Sequence, residues 1–434
     1  MEKIGIIAEF NPFHKGHDYL LGTAHDIFPQ AAVIVAMSGD FTQTGEAAIV
    51  SKHSRAKMAV QNGADLVIEI PVCGCTASAR EFARTGVALL KKAGVKTLVF
   101  ACEDPDKELI MLCASTLNKE DDTYTFTLKN ALKAGDSFPV ARAKALTKSL
   151  SSDNEAEYDL SKISDFLSKS NNILAVEYAR AVLYFDNNMD IYPIERKESI
   201  HNDSEAAVTS EGIVSAAAIR TYIEEAVIPD HDEKTDRIKA ADMLQNVMPV
   251  TASNMMTEDL SENEFVFTKD FDLLLHAALL ANDDYTVFDD CNESLSNKIK
   301  NEVNNYRSIS SFADSLKSKD ITRTHIMRVL IHILLGIKAD DTKALRSLSY
   351  APYMRILAST GKGKELLSSI KENAGILLFM SPGEIKRDEN NAWDIPDEVS
   401  RLLSLDIRSS DLHRAAMTAR CHHSIPNEFT RKTE

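Results

Sequence analysis

Five short apolar or β-branched runs recur through the first two hundred residues: KIGIIAEF, AAVIVAMS, ADLVIEIPV, VKTLVFACE and MDIYPIER. Continuous apolar runs of this length predict strands buried on both faces. Between them lie helix-compatible segments from Gly16 to Asp26, Lys52 to Asn62, Ala77 to Lys92 and Ile173 to Tyr184. Strands alternating with helices predict βαβ units, so the expected fold is α/β, a doubly wound, Rossmann-like parallel sheet of five strands. Two or three more helices are expected between Asp104 and Leu150, and the polar stretch SLSSDNEAEYDLSKIS reads as a surface loop. After VSAAAIRTYIEEA the strand signals fade. FDLLLHAALLA, THIMRVLIHILLGI and MRILASTGKGKELLSSI show helix-like spacing, punctuated by the polar runs IPDHDEKTD and ANDDYTVFDDCNES. The pattern therefore divides the chain into an α/β domain over 1–221 and a mostly helical domain over 222–434, with no internal repeat.

Composition adds limits rather than an identity. A hydrophobic share of 44% and a charged share of 26% in 434 residues are those of a soluble globular protein. The longest apolar runs are too short to span a bilayer, and no basic region precedes a long apolar segment at the N-terminus, so cytoplasmic residence is expected. The formal net charge of −16 weighs against indiscriminate nucleic-acid binding. Yet Lys317 to Lys371 holds eleven Lys/Arg against four Asp/Glu. Lys317, Lys319, Arg323, Arg328 and Arg355 in that span are candidate RNA contacts, although ordinary solvated lysines explain the composition equally well. Of six cysteines only Cys73 and Cys75 are close, and a C-x-C pair without a second pair is a poor zinc pattern. Buried thiols are the expectation for them, and a solvated turn for RCHH ending at His423.

In an open α/β sheet, ligands sit beyond the carboxyl ends of the strands, and the unusual residues of this chain collect there. The first run leads into Asn11, Pro12, Phe13, His14 and His17; the second leads into the polar loop MSGDFTQTGEAA. The third ends in Glu69 and Pro71, the fourth in Cys102 and Glu103, the fifth in Arg196 and Lys197. Residues three apart share a helix face, so His14 and His17 can both address one ligand. Pro12 stops the strand, the next helix brings its positive end to the same place, and Gly16 leaves room for a flat base or a phosphate. A nucleoside triphosphate fits this set: glycine for the base, imidazoles and helix end for the phosphates. Two alternatives stay open at this point, a pair of surface histidines in a first helical turn and a zinc site. No carboxylate or thiol nearby completes a zinc shell, so no metal ligands are assigned.

The stretch GIIAEFNPFHKGHDYLL resembles the H-x-G-H motif of the nucleotidyltransferase superfamily related to class I aminoacyl-tRNA synthetases. Within it the chain is most similar to the bacterial tRNA(Met) cytidine acetate ligase family. SGDFTQTGEAAIVSKHSRAKMAVQNGADLVIEIP, SNNILAVEY, YPIERKESIHND, VSAAAIR, THIMRVLIHILL and the terminal NEF carry the likeness along nearly the whole chain. The resemblance implies that ATP, with Mg²⁺, activates acetate as acetyl-adenylate, and that the acetyl group passes to the wobble cytidine of elongator tRNA(Met). No tightly bound cofactor is implied. His14 and His17 would be the catalytic residues. Ile7, Asn11, Pro12, Phe13, His14, Gly16, His17, Ala101, Asn171, Asn172, Arg196, Ser215 and Arg220 match family positions at ATP. By their own chemistry, the asparagines could equally cap a helix, and Arg196 could be a surface cation. The chain departs from the family pattern at Asp40 (usually Asn), Thr44 (usually Arg), Ala101 (usually Gly) and Ala217 (usually Thr). Two other readings follow: a divergent member that binds nucleotide or RNA without this activity, and an adenylyltransferase acting on a small phosphorylated metabolite.

Overall fold

The computed structural model describes residues 1–119, 121–136, 138–153, 160–185, 188–197, 214–227, 233–318 and 321–430. The five apolar runs form β1 (Lys3–Ala8), β2 (Ala32–Ser38), β3 (Leu66–Ile70), β4 (Thr97–Cys102) and β5 (Asp190–Glu195), all parallel. Between them run α1 (Lys15–Ile27), α2 (Lys52–Gln61), α3 (Val72–Cys75), α4 (Ala79–Lys92), α5 (Lys107–Lys119), α6 (Asp122–Lys133), α7 (Phe138–Asp153), α8 (Leu160–Phe166) and α9 (Ser170–Phe185), with α10 (Ala216–Ala226) after β5. The three helices α5 to α7 fill the span from Asp104 to Leu150, and α8 and α9 follow before β5. The polar stretch read as a loop is helical at both ends, residues 149–153 closing α7 and 160–164 opening α8; its residues 154–159, and part of YPIERKESIHND, lie outside the described residues.

Both faces of the sheet are covered, and β2 shows why its run is apolar throughout. Val33, Val35 and Met37 enter one core with α1, α2 and α10, while Ala32, Ile34 and Ala36 enter the other with α4 and α9. Period-two alternation thus selects between two interiors rather than between core and water.

The sheet has seven strands rather than five. Its order is β5-β4-β1-β2-β3-β6-β7, where β6 (Tyr353–Ser359) and β7 (Leu377–Phe379) come from the C-terminal half. β6 pairs antiparallel with β3, and β7 parallel with β6. MRILASTGKGKELLSSI is therefore strand followed by helix (Gly361–Ala374), not a single helix. Its charged Arg355 hid the strand pattern; in the fold that charge is buried against carboxylates. The rest of the C-terminal half is mainly helical, including Arg323–Leu335 and the long helix Asp397–Cys421.

Strand order reverses between β1 and β4, because β2 and β3 lie on one side of β1 and β4 and β5 on the other. The crevice over the carboxyl ends of β1 and β4 is where this topology places a ligand.

Candidate active site

Beyond β1 the chain folds back sharply. Phe10 takes a left-handed φ of +48° and the Asn11–Pro12 peptide is cis. A bulky residue at positive φ is a conformational outlier, held here because Phe10 is fully buried, edge-on to Phe13 at 5.0 Å and to His17 at 4.9 Å. Asn11 is buried and its Oδ1 accepts the Ile49 N–H at 2.8 Å, tying the turn to the segment after β2.

His14 is the N-cap of α1. Its Nδ1 accepts the Gly16 N–H at 3.0 Å, while the His14 N–H donates to His17 Nδ1 at 3.3 Å. The reciprocal pair satisfies two helix-end donors. It also sets the tautomer: with both Nδ1 atoms accepting, each neutral ring carries its proton on Nε2. Burial, then the charges of Arg196 and Arg220, brings His14 down to about 3. Burial, His14 and Arg196 likewise take His17 well below the usual imidazole range. Two neutral Nε2–H donors therefore stand side by side, ring centroids 3.9 Å apart. The Gly16 and His17 N–H groups are already engaged, by His14 Nδ1 and the His14 carbonyl. The helix end thus acts through its dipole and these imidazoles rather than through free N–H groups at those two residues.

Other expected residues converge on the same end of the sheet. Ser215 caps α10, accepting the Ala218 N–H at 3.2 Å. From α10, Arg220 donates to the Asn11 carbonyl at 2.8 Å and to Glu46 at 3.0 Å. Arg196 follows β5 directly, its N–H on the Cys102 carbonyl at 2.8 Å. Ala101, near the end of β4, sits opposite Ile194.

Some candidates serve the fold instead. Ile7 packs onto α4, where a Cβ on Gly86 would lie 2.7 Å from it, so its side chain does not enter the crevice. Pro12 and Phe13 are buried and shape the turn. Asn172 is fully buried, with its amide held by Asp104 and the Phe166 carbonyl. Glu103 accepts the Asn171 side-chain amide at 2.7 Å and the Asn172 N–H at 2.9 Å, and so caps α9. Both asparagines fix the end of β4 against α9.

Arg355 is not an RNA contact. It is 1% exposed, 3.2 Å from Glu69 and paired with Glu428. Lys52, also fully buried, meets Glu69 at 2.7 Å, Asp40 at 3.4 Å and Glu428 at 3.5 Å. Against the cost of burial, Lys52 holds the Asp40 carboxyl below the usual range, helped by Ser410 at 2.7 Å. Asp40 thus spends its charge on Lys52, not on the crevice. Thr44 is exposed, and the adjoining Gly45, at φ +77°, packs on the Met327–Arg328 backbone, where a Cβ would lie 2.6 Å away.

The basic span does not form one face. Lys362 reaches the Ala31 carbonyl at 2.7 Å and Asp65 at 3.3 Å, at the opposite end of the sheet. Arg328 is largely buried, 3.7 Å from Asp290, and Lys319 lies outside the described residues. Lys317 and Arg323 share Asp314 at 2.8 and 3.4 Å. Arg323 borders a cleft of about 590 Å³, with Glu46, Arg220, Lys269, Ser308 and Ser310. Ala217, on the first turn of α10, also faces it.

The sequence reading missed Glu9, Glu46 and Lys52. Glu9 adjoins the end of β1 and accepts the Gln43 N–H at 2.8 Å; as the sole carboxylate in IIAEFNPFH it could have been noticed. Among the described residues no group of three or more His, Cys, Asp or Glu side chains could hold a metal ion, and no helix is long and apolar enough to cross a membrane.

A family model described as HIGH Nucleotidyl Transferase matches residues 1–427. The tRNA(Met) cytidine acetate ligase of Caldicellulosiruptor saccharolyticus is 33% identical over 95% of this chain and 94% of its own length. That of Halothermothrix orenii is 32% identical, with the same coverage of 95% and 94%. A crystal structure of Thermotoga maritima TmcAL bound with alpha-thio ATP superposes with a TM-score of 0.82 at 27% identity, over 96% of this chain and 95% of that one. With the paired imidazoles at the strand-order reversal, these likenesses establish that the chain belongs to the HIGH nucleotidyl transferase family, in the branch of the tRNA(Met) cytidine acetate ligases.

Proposed function

We propose that the protein is an ATP-dependent ligase that activates acetate as acetyl-adenylate and acetylates the wobble cytidine of elongator tRNA(Met). The observation that carries this reading is the His14–His17 pair, two preorganised Nε2–H donors beside Arg196 and Arg220. In the first step an acetate oxygen attacks the α-phosphorus of ATP and the bond to the β-phosphate oxygen breaks. Charge grows on the phosphoryl oxygens and on departing pyrophosphate, where fixed donors in a dry site act most strongly. Neutral imidazoles suit the task, because they donate without holding product by full charge. Magnesium would arrive on the phosphates of ATP as part of the substrate.

In the second step the cytidine amine attacks the acetyl carbonyl and AMP leaves. On this reading residues 1–221 hold the nucleotide, and 222–434 help dock tRNA in the cytoplasm. Arg323, which borders the cleft with Arg220, and Lys317, which shares Asp314 with it, are the cations offered to tRNA phosphates on this reading. The test is incubation with ATP, Mg²⁺, labelled acetate and bulk tRNA, alongside His17→Ala. Acetylcytidine in tRNA(Met), lost in the variant, is expected; acetyl-free RNA from a folded, ATP-binding protein would sink the proposal.

A further inference from the structure

Arg220 joins the cleft of about 590 Å³ to the imidazole pair. Its Nη1 donates to the Asn11 carbonyl at 2.8 Å and its Nη2 to Glu46 Oε2 at 3.0 Å, and both Arg220 and Glu46 line the cleft. Asn11 opens the turn that carries His14, and the Arg220 charge bears on that imidazole. The cleft volume is within the roughly 300–1,000 Å³ typical of small-molecule sites.

Its lining suits a flat ligand with a polar edge. Ile49, Phe267 and Met327 supply buried apolar surface for the faces of such a ligand. Two of the carboxylates that line it are committed elsewhere, Glu224 to Lys269 at 2.6 Å and Asp272 to the Ile309 N–H at 2.7 Å. The Arg220–Glu46 pair is fixed and yet open. Two anchors hold the guanidinium, while the side chains of Arg220 and Glu46 stay 25% and 31% exposed. Among the described residues two of the five guanidinium N–H groups are engaged, and Glu46 Oε1 has no hydrogen bond or ion pair. A donor and an acceptor thus stand side by side at the cleft.

We propose that this cleft is the pocket of the acceptor cytosine, and that the Arg220–Glu46 pair selects cytosine over uracil. This rests on the ligase reading above. Cytosine carries its exocyclic amine, a donor, next to N3, a ring acceptor, and a carboxylate is a natural partner of that amine. Glu46 Oε1 takes an amine hydrogen, and a free Arg220 N–H donates to N3. Uracil presents the acceptor O4 and the donor N3–H in the same two places. Both contacts then turn repulsive, oxygen against carboxylate and N–H against guanidinium. A base held on Arg220 is held by the residue that grips the turn before His14, which brings its amine toward the adenylate.

Elongator tRNA(Met) transcripts with cytidine or uridine at the wobble position are the probes. Wild-type protein should bind the cytidine form more tightly by roughly 10–10², the worth of one good bidentate base contact. Glu46→Gln keeps an oxygen for Arg220 but turns an NH₂ group toward the base. The preference should collapse, and transfer of acetyl to the cytidine transcript should slow by a similar factor. Thr221→Trp, at an exposed position of α10 that lines the cleft, fills the pocket and should block transfer. In both variants the loss should fall on transfer rather than on acetate-dependent exchange of pyrophosphate into ATP, measured without RNA. Equal binding of the two transcripts by the wild type, an undiminished preference in Glu46→Gln, or transfer at the wild-type rate in Thr221→Trp would overturn the proposal. So would equal loss of both half-reactions in the folded variants. If a variant does not fold, the wild-type comparison of the two transcripts decides. Wild-type protein with neither exchange nor acetylcytidine would remove the ligase reading itself, a result distinct from an active enzyme whose cleft ignores the base.

Discussion

Replacing Lys52 with methionine tests the buried charge cluster most directly. Lys52 and Arg355 are the two fixed cations set among Asp40, Glu69 and Glu428, and all five side chains are buried. Methionine fills similar volume but leaves three carboxylates facing one cation. Removing one partner of a buried pair costs about 3–5 kcal/mol, because the remaining charge stays desolvated. The loss should depend on pH in a definite sense. Without Lys52 the folded carboxyls rise above their unfolded values, so the native state binds extra protons and stability falls as pH rises. Urea unfolding at pH 8 should therefore show most of the loss, and unfolding at pH 5 a smaller one. A loss below about 1 kcal/mol, the scale of an exposed pair, or one equal at both pH values, would refute the argument that this cluster is desolvated.

Four further outcomes follow from other parts of the molecule. His14→Ala or His17→Ala should slow acetyl-adenylate formation by roughly 10²–10³. In the wild type, kcat/KM for ATP should show no break near the ordinary imidazole value between pH 6 and 8, since His14 titrates at about 3 and His17 lies well below its usual range. Arg323→Glu should weaken tRNA binding and flatten its salt dependence, measured by filter binding across a salt series. Lys364→Glu, exposed on the helix at the opposite end of the sheet, should change neither. Asp406 is raised to about 7 by burial and by Glu69. Its folded state keeps a proton the unfolded chain releases, so its contribution fades as pH climbs from about 4 toward 7. Asp406→Asn should remove that fading, seen as a smaller difference between urea midpoints at pH 5 and pH 7.

The parallel core of the fold was legible because β1 to β4 are short, apolar and separated by well-marked helices. β6 was not, since its polar Arg355 breaks the apolar run and its compensating charges, Glu69 and Glu428, lie 286 positions before it and 73 after it. Long-range pairing of that kind leaves no local trace. In the site, the spacing of His14 and His17 showed which residues face one ligand. The Nδ1 contacts that dictate where their protons sit are visible only in three dimensions. Asp40, where the family pattern has Asn, is accounted for only in the fold: Lys52 is twelve residues away, but Ser410, another partner, comes from the far end of the chain.

The antiparallel seam between β3 and β6 has a consequence for how the chain is made. When the first two hundred residues leave the ribosome, β3 is a fully buried strand in waiting, with one edge and its Glu69 uncovered. About 150 further residues must be translated before Tyr353–Ser359 can close that edge, and Glu428 comes later still. An unpaired apolar edge is a template for aggregation. The nascent N-terminal half should therefore be a client for chaperones that shield exposed strands, and fragments ending before β6 should be recovered mainly as insoluble protein.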